Sequence, residues 1–442
     1  MSKFTFIKLV IAVVLFNPGF IIGLQSTDTF GNLAYAAEKK TPKKTRRTPA
    51  MREKIYNQIA RAQKFLDEGN KAESVEVIDR LKRRMKQLNS YEKAKVWQFE
   101  GFMHFNDNDL MAAVKSFEKV IAEENIPEAF ELSTLYGIAQ IYMQAQDFGN
   151  ALLYIDRWAD LKGEMTDKSH AFKARILYAQ KDWQGSLKSI DNAIAYREAE
   201  KKVAKENWLS LKRALHFELK QPKKVTEVSE KLVRLFPQKG KYWVELANMY
   251  GETNQVRKQL AVMEAAYQQG FIEKKSDFKA LAQLYYFNGA PFKAATILTE
   301  QLAAGTLEED IQTLRFLAQA WSSAKDHAKA IPVLKSASKI AEDGNMDARL
   351  VEVYINLEDW DNAIKAGQDA IKKGELKNPG NVHVWMGKAR YNLKQYASAI
   401  KSFQMAKKEQ SVKKTADQWL RFVEKEKRNE ERLKLAQSSV GA

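Results

Sequence analysis

KYWVELANMYGETNQVRKQLAVMEAAYQQG, from Lys241 to Gly270, reads as two helices joined by a short break. Trp243, Leu246, Ala247 and Tyr250 share one face of the first helix, and Leu260, Met263 and Ala266 one face of the second. Spacings of three and four residues are those at which side chains stack on one side of a helix. Asn254 falls in the break, where a short polar side chain accepts turn geometry.

The same unit returns about ten times. A closely packing residue follows each break at Ser74, Ala113, Ala151, Ser186, Val225, Gln259, Ala294, Ala330, Ala363 and Ala399, with successive members 33 to 39 residues apart. Twelve residues earlier a small side chain is the rule: Ala62, Gly101, Ala139, Ala174, Ala247, Ala282 and Ala318. About one turn further on comes a bulky one, at Phe65, His104, Tyr142, Leu177, His216, Tyr250, Tyr285, Trp321, Tyr354 and Tyr391. Small residues let two helices approach, and the bulky residue fills the space toward the next pair. Polar breaks such as Gly69-Asn70, Asp107-Asn108-Asp109, Asp147-Phe148, Asp182-Trp183, Asp326-His327 and Asp359-Trp360 fall at the matching offset.

This is the pattern of tetratricopeptide repeats, whose period is about 34 residues. The fold expected is all-α: a right-handed superhelical solenoid of about ten such hairpins over residues 53–410. A related α-solenoid is the alternative. The fifth unit departs most, with Arg213 at the small position, Pro222 in the break and Ser229 where an apolar residue belongs. The ninth carries Gly367 in its second helix, and both units are candidates for bends or soft joints in the superhelix. Residues 411–442 are expected to form a capping helix and tail, with Trp419, Leu420 and Phe422 covering the open end of the stack.

The chain has 442 residues, a net charge of +17 and no Cys. Disulfides, thiolate catalysis and anchoring through an acylated Cys are thereby excluded. At the N-terminus Lys3 and Lys8 precede the apolar run Leu9 to Phe16, and Ala34-Tyr35-Ala36 follows. That order is expected of a signal peptide over residues 1–36, cleaved after Ala36 or Ala37, which places the protein in the periplasm. Asn17-Pro18-Gly19 breaks the apolar run and argues against a spanning helix.

Glu38 to Arg52, EKKTPKKTRRTPAMR, sets seven Lys or Arg against one Glu. Residues 37–52 have nothing large and apolar to pack, and disorder is expected there. Lys39 to Arg52 reads either as a solvated linker or as an electrostatic tether to an anionic membrane surface or acidic partner. Export argues against nucleic acid as the partner of this basic chain.

No G-x-x-x-x-G-K-S/T, G-x-S-x-G or H-E-x-x-H occurs, and the five histidines are scattered along the units. No enzyme activity, metal or cofactor is expected. His104 and His216 stand at the bulky packing position, and His170 with Glu309 would be the pair to test for hydrolysis. Binding is what the architecture offers. First helices should line the concave face of the solenoid. There, one position after the small residue, stand Gln63, Gln140, Arg175, Asn248, Gln283 and Gln319, with Tyr136, Lys279 and Arg315 one turn earlier. Amides carry a donor and an acceptor each, so this row is the candidate peptide-binding groove, against a reading as ordinary solvated polar residues.

Several segments are more particular than the repeat: SYEKAKVWQFEGFMHF (Ser90 to Phe105), IPEAFELSTLYGIAQIYM (Ile126 to Met143), YWVELANMYGE (Tyr242 to Glu252), KQLAVMEAAYQQGFI (Lys258 to Ile272) and LAQLYYFNGAPFKAATIL (Leu281 to Leu298). Taken in this order they resemble the exported tetratricopeptide protein that accompanies a TonB-type energy-transducing complex in some Gram-negative bacteria. The resemblance implies a periplasmic or envelope-associated protein tied to TonB-dependent uptake of iron compounds. Its implied partner is the transducer or its inner-membrane complex. It fixes no individual binding residue. The alternative function is an envelope structural factor that binds polysaccharide or peptidoglycan during export or cell-wall assembly.

Overall fold

The computed structural model describes residues 46–440, in which twenty-one α-helices and no strands are found. The stretch expected to be a signal peptide, its expected cleavage site and residues 37–45 of the basic arm lie outside the described residues. No helix among those described is long and apolar enough to cross a membrane.

Twenty helices pair into ten hairpins, each an odd-numbered helix followed by an even-numbered one. The first five are α1 (Glu53–Asp67) with α2 (Lys71–Lys82), α3 (Ser90–Asn106) with α4 (Leu110–Ala122), α5 (Glu128–Gln144) with α6 (Phe148–Lys162), α7 (Asp167–Ala179) with α8 (Trp183–Ala199), and α9 (Glu206–Glu218) with α10 (Pro222–Leu235). The second five are α11 (Gly240–Glu252) with α12 (Val256–Gln268), α13 (Lys275–Phe287) with α14 (Pro291–Ala303), α15 (Ile311–Ser323) with α16 (His327–Ile340), α17 (Asn345–Asn356) with α18 (Trp360–Lys373), and α19 (Pro379–Asn392) with α20 (Tyr396–Ala406). Helix α21 (Lys413–Val440) closes the stack. The all-α solenoid of ten hairpins expected from the repeat is what the chain forms.

One backbone device makes all ten turns. Gly69, Asn108, Gln146, Lys181, Lys220, Asn254, Gly289, Lys325, Glu358 and Lys394 have φ between 55° and 81°, each five residues before the packing position. The next N–H reaches back to a carbonyl of the first helix's last turn, as from Asp109 N to His104 O and from Gln255 N to Tyr250 O. This satisfies carbonyls that would otherwise be orphaned where the helix ends. In hairpins 2, 3, 4, 8 and 9 an aspartate then caps the second helix: Asp109, Asp147, Asp182, Asp326 and Asp359 each accept from the N–H three residues on. Hairpins 5 and 7 begin that helix with Pro222 and Pro291, whose missing N–H costs nothing at the first helical position.

The small residues do what their size demands. Ser74 Oγ donates to Ala62 O at 2.8 Å and Ser186 Oγ to Ala174 O at 2.7 Å, one helix's packing residue bonding the other's backbone. A Cβ on Gly101 would lie 2.8 Å from Phe117 Cε1, so only glycine admits that ring. Gln259, larger than its counterparts, is accommodated because Gly251 opposes it, and a Cβ there would stand 2.7 Å from Gln259 Nε2. In the tenth hairpin the register position belongs to Arg390, whose Nη1 donates to the buried Ser402 Oγ. Tyr391 turns instead toward α21, its ring 5.8 Å from Trp419.

Both departing units are bonded in place by specific contacts. Arg213 of α9 pairs with Glu245 of α11, and Ser229 Oγ bonds Val225 O within its own helix. In the ninth hairpin Gly367 is buried and lets Met386 of α19 approach, with Sδ 2.6 Å from where a Cβ would stand. Around it Gly344 N donates to Gly374 O, Asn345 bridges Glu375 O and Lys377 N, and Lys373 Nζ reaches both Ser338 O and the buried Asp347. Glycine here marks close approach.

At the C-terminal end Trp419 stacks on Phe403, with ring centroids 5.6 Å apart and planes 8° from parallel, and Ala416 and Val423 are buried. Phe422 stays 45% exposed, so it seals the end less than expected. At the other end Arg46 to Arg52 has no helix or strand yet is held down, where the sequence suggests disorder. Arg52 binds both carboxylate oxygens of the fully buried Glu92, Asn89 Nδ2 donates to Ala50 O at 2.9 Å, and Arg46 pairs with Glu131.

Candidate binding groove

The groove candidates all lie on odd-numbered helices, because one position past the small residue turns away from the partner helix of the hairpin. Gln140 on α5 is half-buried, while Arg175 on α7, Asn248 on α11 and Gln283 on α13 are exposed. These four keep their polar groups available for a ligand. Gln63 on α1 is exposed too, but its Nε2 donates to Asp67 Oδ1 at 2.7 Å.

The remaining candidates already have partners, most of them from a neighbouring hairpin. Lys279 Nζ lies 3.5 Å from Asp310 Oδ2, and Arg315 Nη2 lies 2.9 Å from Asp343 Oδ2. Gln319 Nε2 donates to Tyr286 OH at 2.9 Å. Tyr136 packs its ring 5.2 Å from Phe172 of α7 and 5.8 Å from Trp158 of α6. Burial there pushes its hydroxyl above the ordinary tyrosine range, while the nearby Arg175 charge works the other way. Tyr136 is therefore a filler of the joint between hairpins 3 and 4.

Two features were missed in the sequence. The first is an aromatic cluster on α13 and α15, where Tyr286 meets Phe316 at 5.6 Å and its hydroxyl lies 3.1 Å from Ser323 Oγ. The run Tyr285-Tyr286-Phe287 was its signal: one tyrosine fills the core and the next two rings have to face elsewhere. The second is a set of tyrosine–glutamate struts between neighbouring hairpins. Tyr154 OH donates to Glu118 at 2.6 Å, Tyr250 OH to Glu230 at 2.6 Å and Tyr267 OH to Glu300 at 2.7 Å. Burial and the adjacent carboxylate push Tyr250 and Tyr267 up to about 12.

Other candidate chemistry is dispersed. His216 is buried with Nδ1 2.8 Å from Gln221 Oε1, a packed imidazole. His170 and Glu309 belong to the fourth and eighth hairpins, four units apart in the stack. Among the described residues no group of three His, Asp or Glu gathers as a metal site. A recess of about 400 Å³ opens between α14, α15 and α16, lined by Leu302, Leu314, Leu317, Trp321 and Val333 among others, and shares no residue with the polar row.

No family model and no curated protein matches the chain. Among solved structures it is similar to a tetratricopeptide repeat protein from Parabacteroides merdae, with 11% identity over 60% of this chain and 98% of that one and a TM-score of 0.36. It is also similar to YrrB, described as a TPR protein with an unusual peptide-binding site, with 15% identity, 43% and 96% coverage and a TM-score of 0.34. A third is the TPR2AB domain of yeast Sti1 in complex with pHSP90, with 14% identity, 66% and 98% coverage and a TM-score of 0.29. At such identities the likeness concerns the fold alone.

Proposed function

We propose that this chain is a non-enzymatic scaffold that binds an extended segment of a protein partner along its odd-numbered helices. The observation that carries this is the set Gln140, Arg175, Asn248 and Gln283, polar groups at one register position of hairpins 3, 4, 6 and 7 with no partner of their own among the described residues. Amides carry a donor and an acceptor each and suit the backbone of an extended chain, and Arg175 suits a carboxylate within it. The finer reading is a periplasmic accessory to TonB-dependent transport, whose partner is the transducer or its inner-membrane complex. It is supported by the leader-like N-terminus and by the resemblance of the five quoted segments.

Crosslinking in intact cells, followed by identification of the captured protein, tests both levels. Capture of a TonB-system component that is lost in a Gln140→Ala, Arg175→Ala, Asn248→Ala, Gln283→Ala variant, with the melting temperature unchanged, is the expected result. Capture of other envelope proteins removes the TonB assignment. Capture unaffected by the four substitutions removes the groove. N-terminal sequencing of the mature protein decides the compartment. The cluster of Tyr286, Phe316 and Gln319 favours polysaccharide as a second reading, since rings and amides together suit sugars, and retention on purified peptidoglycan that Tyr286→Ala abolishes would establish it.

A further inference from the structure

The ten turns within the hairpins lie along one edge of the stack, since each joins an odd helix to its even partner at the same register. In hairpins 5 to 7 that edge is unusual. Phe217 in the last turn of α9 is 67% exposed, Phe287 at the end of α13 is 80% exposed, and Phe292 in the first turn of α14 is 53% exposed. Val256, the first residue of α12, adds an exposed aliphatic group between them. Interleaved are Lys220 in its left-handed turn, then Lys223, Arg257 and Lys258, all exposed. Lys258 has the Tyr250 ring 5.2 Å away, and Lys224 and Lys293 are engaged by Glu227 and Glu264. The acids that stand unpaired beside them are Glu218 and Glu252, so cations prevail.

We infer that this edge docks peripherally on an anionic bilayer surface. The occupant follows from the pattern. A protein interface gathers its apolar anchors into a contiguous, water-excluding centre. Here Phe217 stands on the fifth turn, Val256 on the sixth and Phe287 with Phe292 on the seventh, with Lys220, Lys223, Arg257 and Lys258 spread between them. A fluid headgroup layer accepts such an arrangement, because each ring can enter the interfacial region alone while lysine and arginine meet lipid phosphates. Among the described residues the opposite edge exposes Tyr56, Val203, Ile340, Ile371 and Met405, none of them a phenylalanine, and where three such residues follow one another, at Ile340, Ile371 and Met405, they are interspersed with Glu342, Asp369 and Glu375. The surface is separate from the polar row, so docking leaves that row open to a protein partner.

The absence of Cys makes the test clean. Full-length chain carrying Phe287→Cys and an environment-sensitive dye should brighten and shift to the blue on phosphatidylcholine vesicles containing phosphatidylglycerol. The same dye at Glu309→Cys, on the opposite edge, should not respond. In vesicle sedimentation, Phe217→Ser with Phe287→Ser and Phe292→Ser should weaken binding by about tenfold or more, as should Lys220→Glu with Lys223→Glu. Ile371→Ser should bind as the parent does, and melting temperatures verify folding of every variant. The proposal is overturned if neutral vesicles bind equally well, if the dye at position 287 stays dark, or if the edge variants bind unchanged. It is overturned equally if binding disappears only with Lys43→Glu and Lys44→Glu, which assigns it to the arm, or if position 287 responds to a protein partner and never to vesicles.

Discussion

Ten backbones take the same left-handed step, yet only Gly69 and Gly289 take it as glycine. A side chain in that region costs about 1–2 kcal/mol, which glycine avoids at some expense in chain entropy. Lys325→Gly should therefore stabilise the chain by about 0.5–1 kcal/mol, measured as a rise in urea midpoint. Ala247, 1% exposed against the second helix of its hairpin, leaves no room for growth. Ala247→Arg should cost about 1–3 kcal/mol or more by overpacking, with a matching fall in melting temperature. The small position was legible because seven units repeat it; the left-handed step was not, because lysine, glutamine and glutamate take it as well as asparagine and glycine. Compensation between positions was illegible too: Gln259 breaks the small-residue rule only because Gly251 yields to it, and no single position records the exchange.

Elements behaved less predictably where charge, which has no periodicity, decides. Glu92 sits within α3 and looks like any solvated acid in the sequence, yet it is fully buried, closes a capping box with Asn89 and grips Arg52. The Arg52 guanidinium, aided by two backbone N–H groups, lowers the Glu92 carboxyl from an ordinary 4.5 to about 2. A depressed carboxylate contributes stability that is complete above the unfolded value and vanishes as pH falls through the folded one. Melting temperature should thus decline between about pH 4.5 and 2, and Arg52→Ala should lower it by a few degrees at pH 7 but hardly at pH 2. Equal losses at both pH values would show the contact to be packing alone. The groove suffered from the same blindness. The register placed Lys279 and Arg315 on the right helices, but the carboxylates that engage them come from loops one hairpin on.

For the molecule as a whole, the apolar interior is a chain of separate cores. Val96 and Phe99 of α3 face the first cluster while Ala94 joins the second; Ile176 and Ala174 of α7 divide likewise, as do Met386 and Val384 of α19. Hairpins coupled only to neighbours need not melt together. Urea unfolding should show more than one transition, with the large cluster from Ala247 to Ala389 lost last. Trp419→Ala should cost about 3–5 kcal/mol in the first C-terminal transition, because it opens the stacked contact with Phe403, and leave the later one unmoved. Repetition made this architecture readable, since a solenoid is the same local problem solved again; the partner was not, since repeats carry no record of what lies against them.

The grip of Glu92 on Arg52 also fixes where the chain comes from. Arg46 is fastened to Glu131 on the third hairpin, so the polypeptide arrives along the flank and doubles back before α1 begins. Arg46 is thereby an anchor point remote from the helix it precedes in sequence: two ion pairs tie one short irregular segment to the second and third hairpins, so cutting either should loosen contacts well beyond the first.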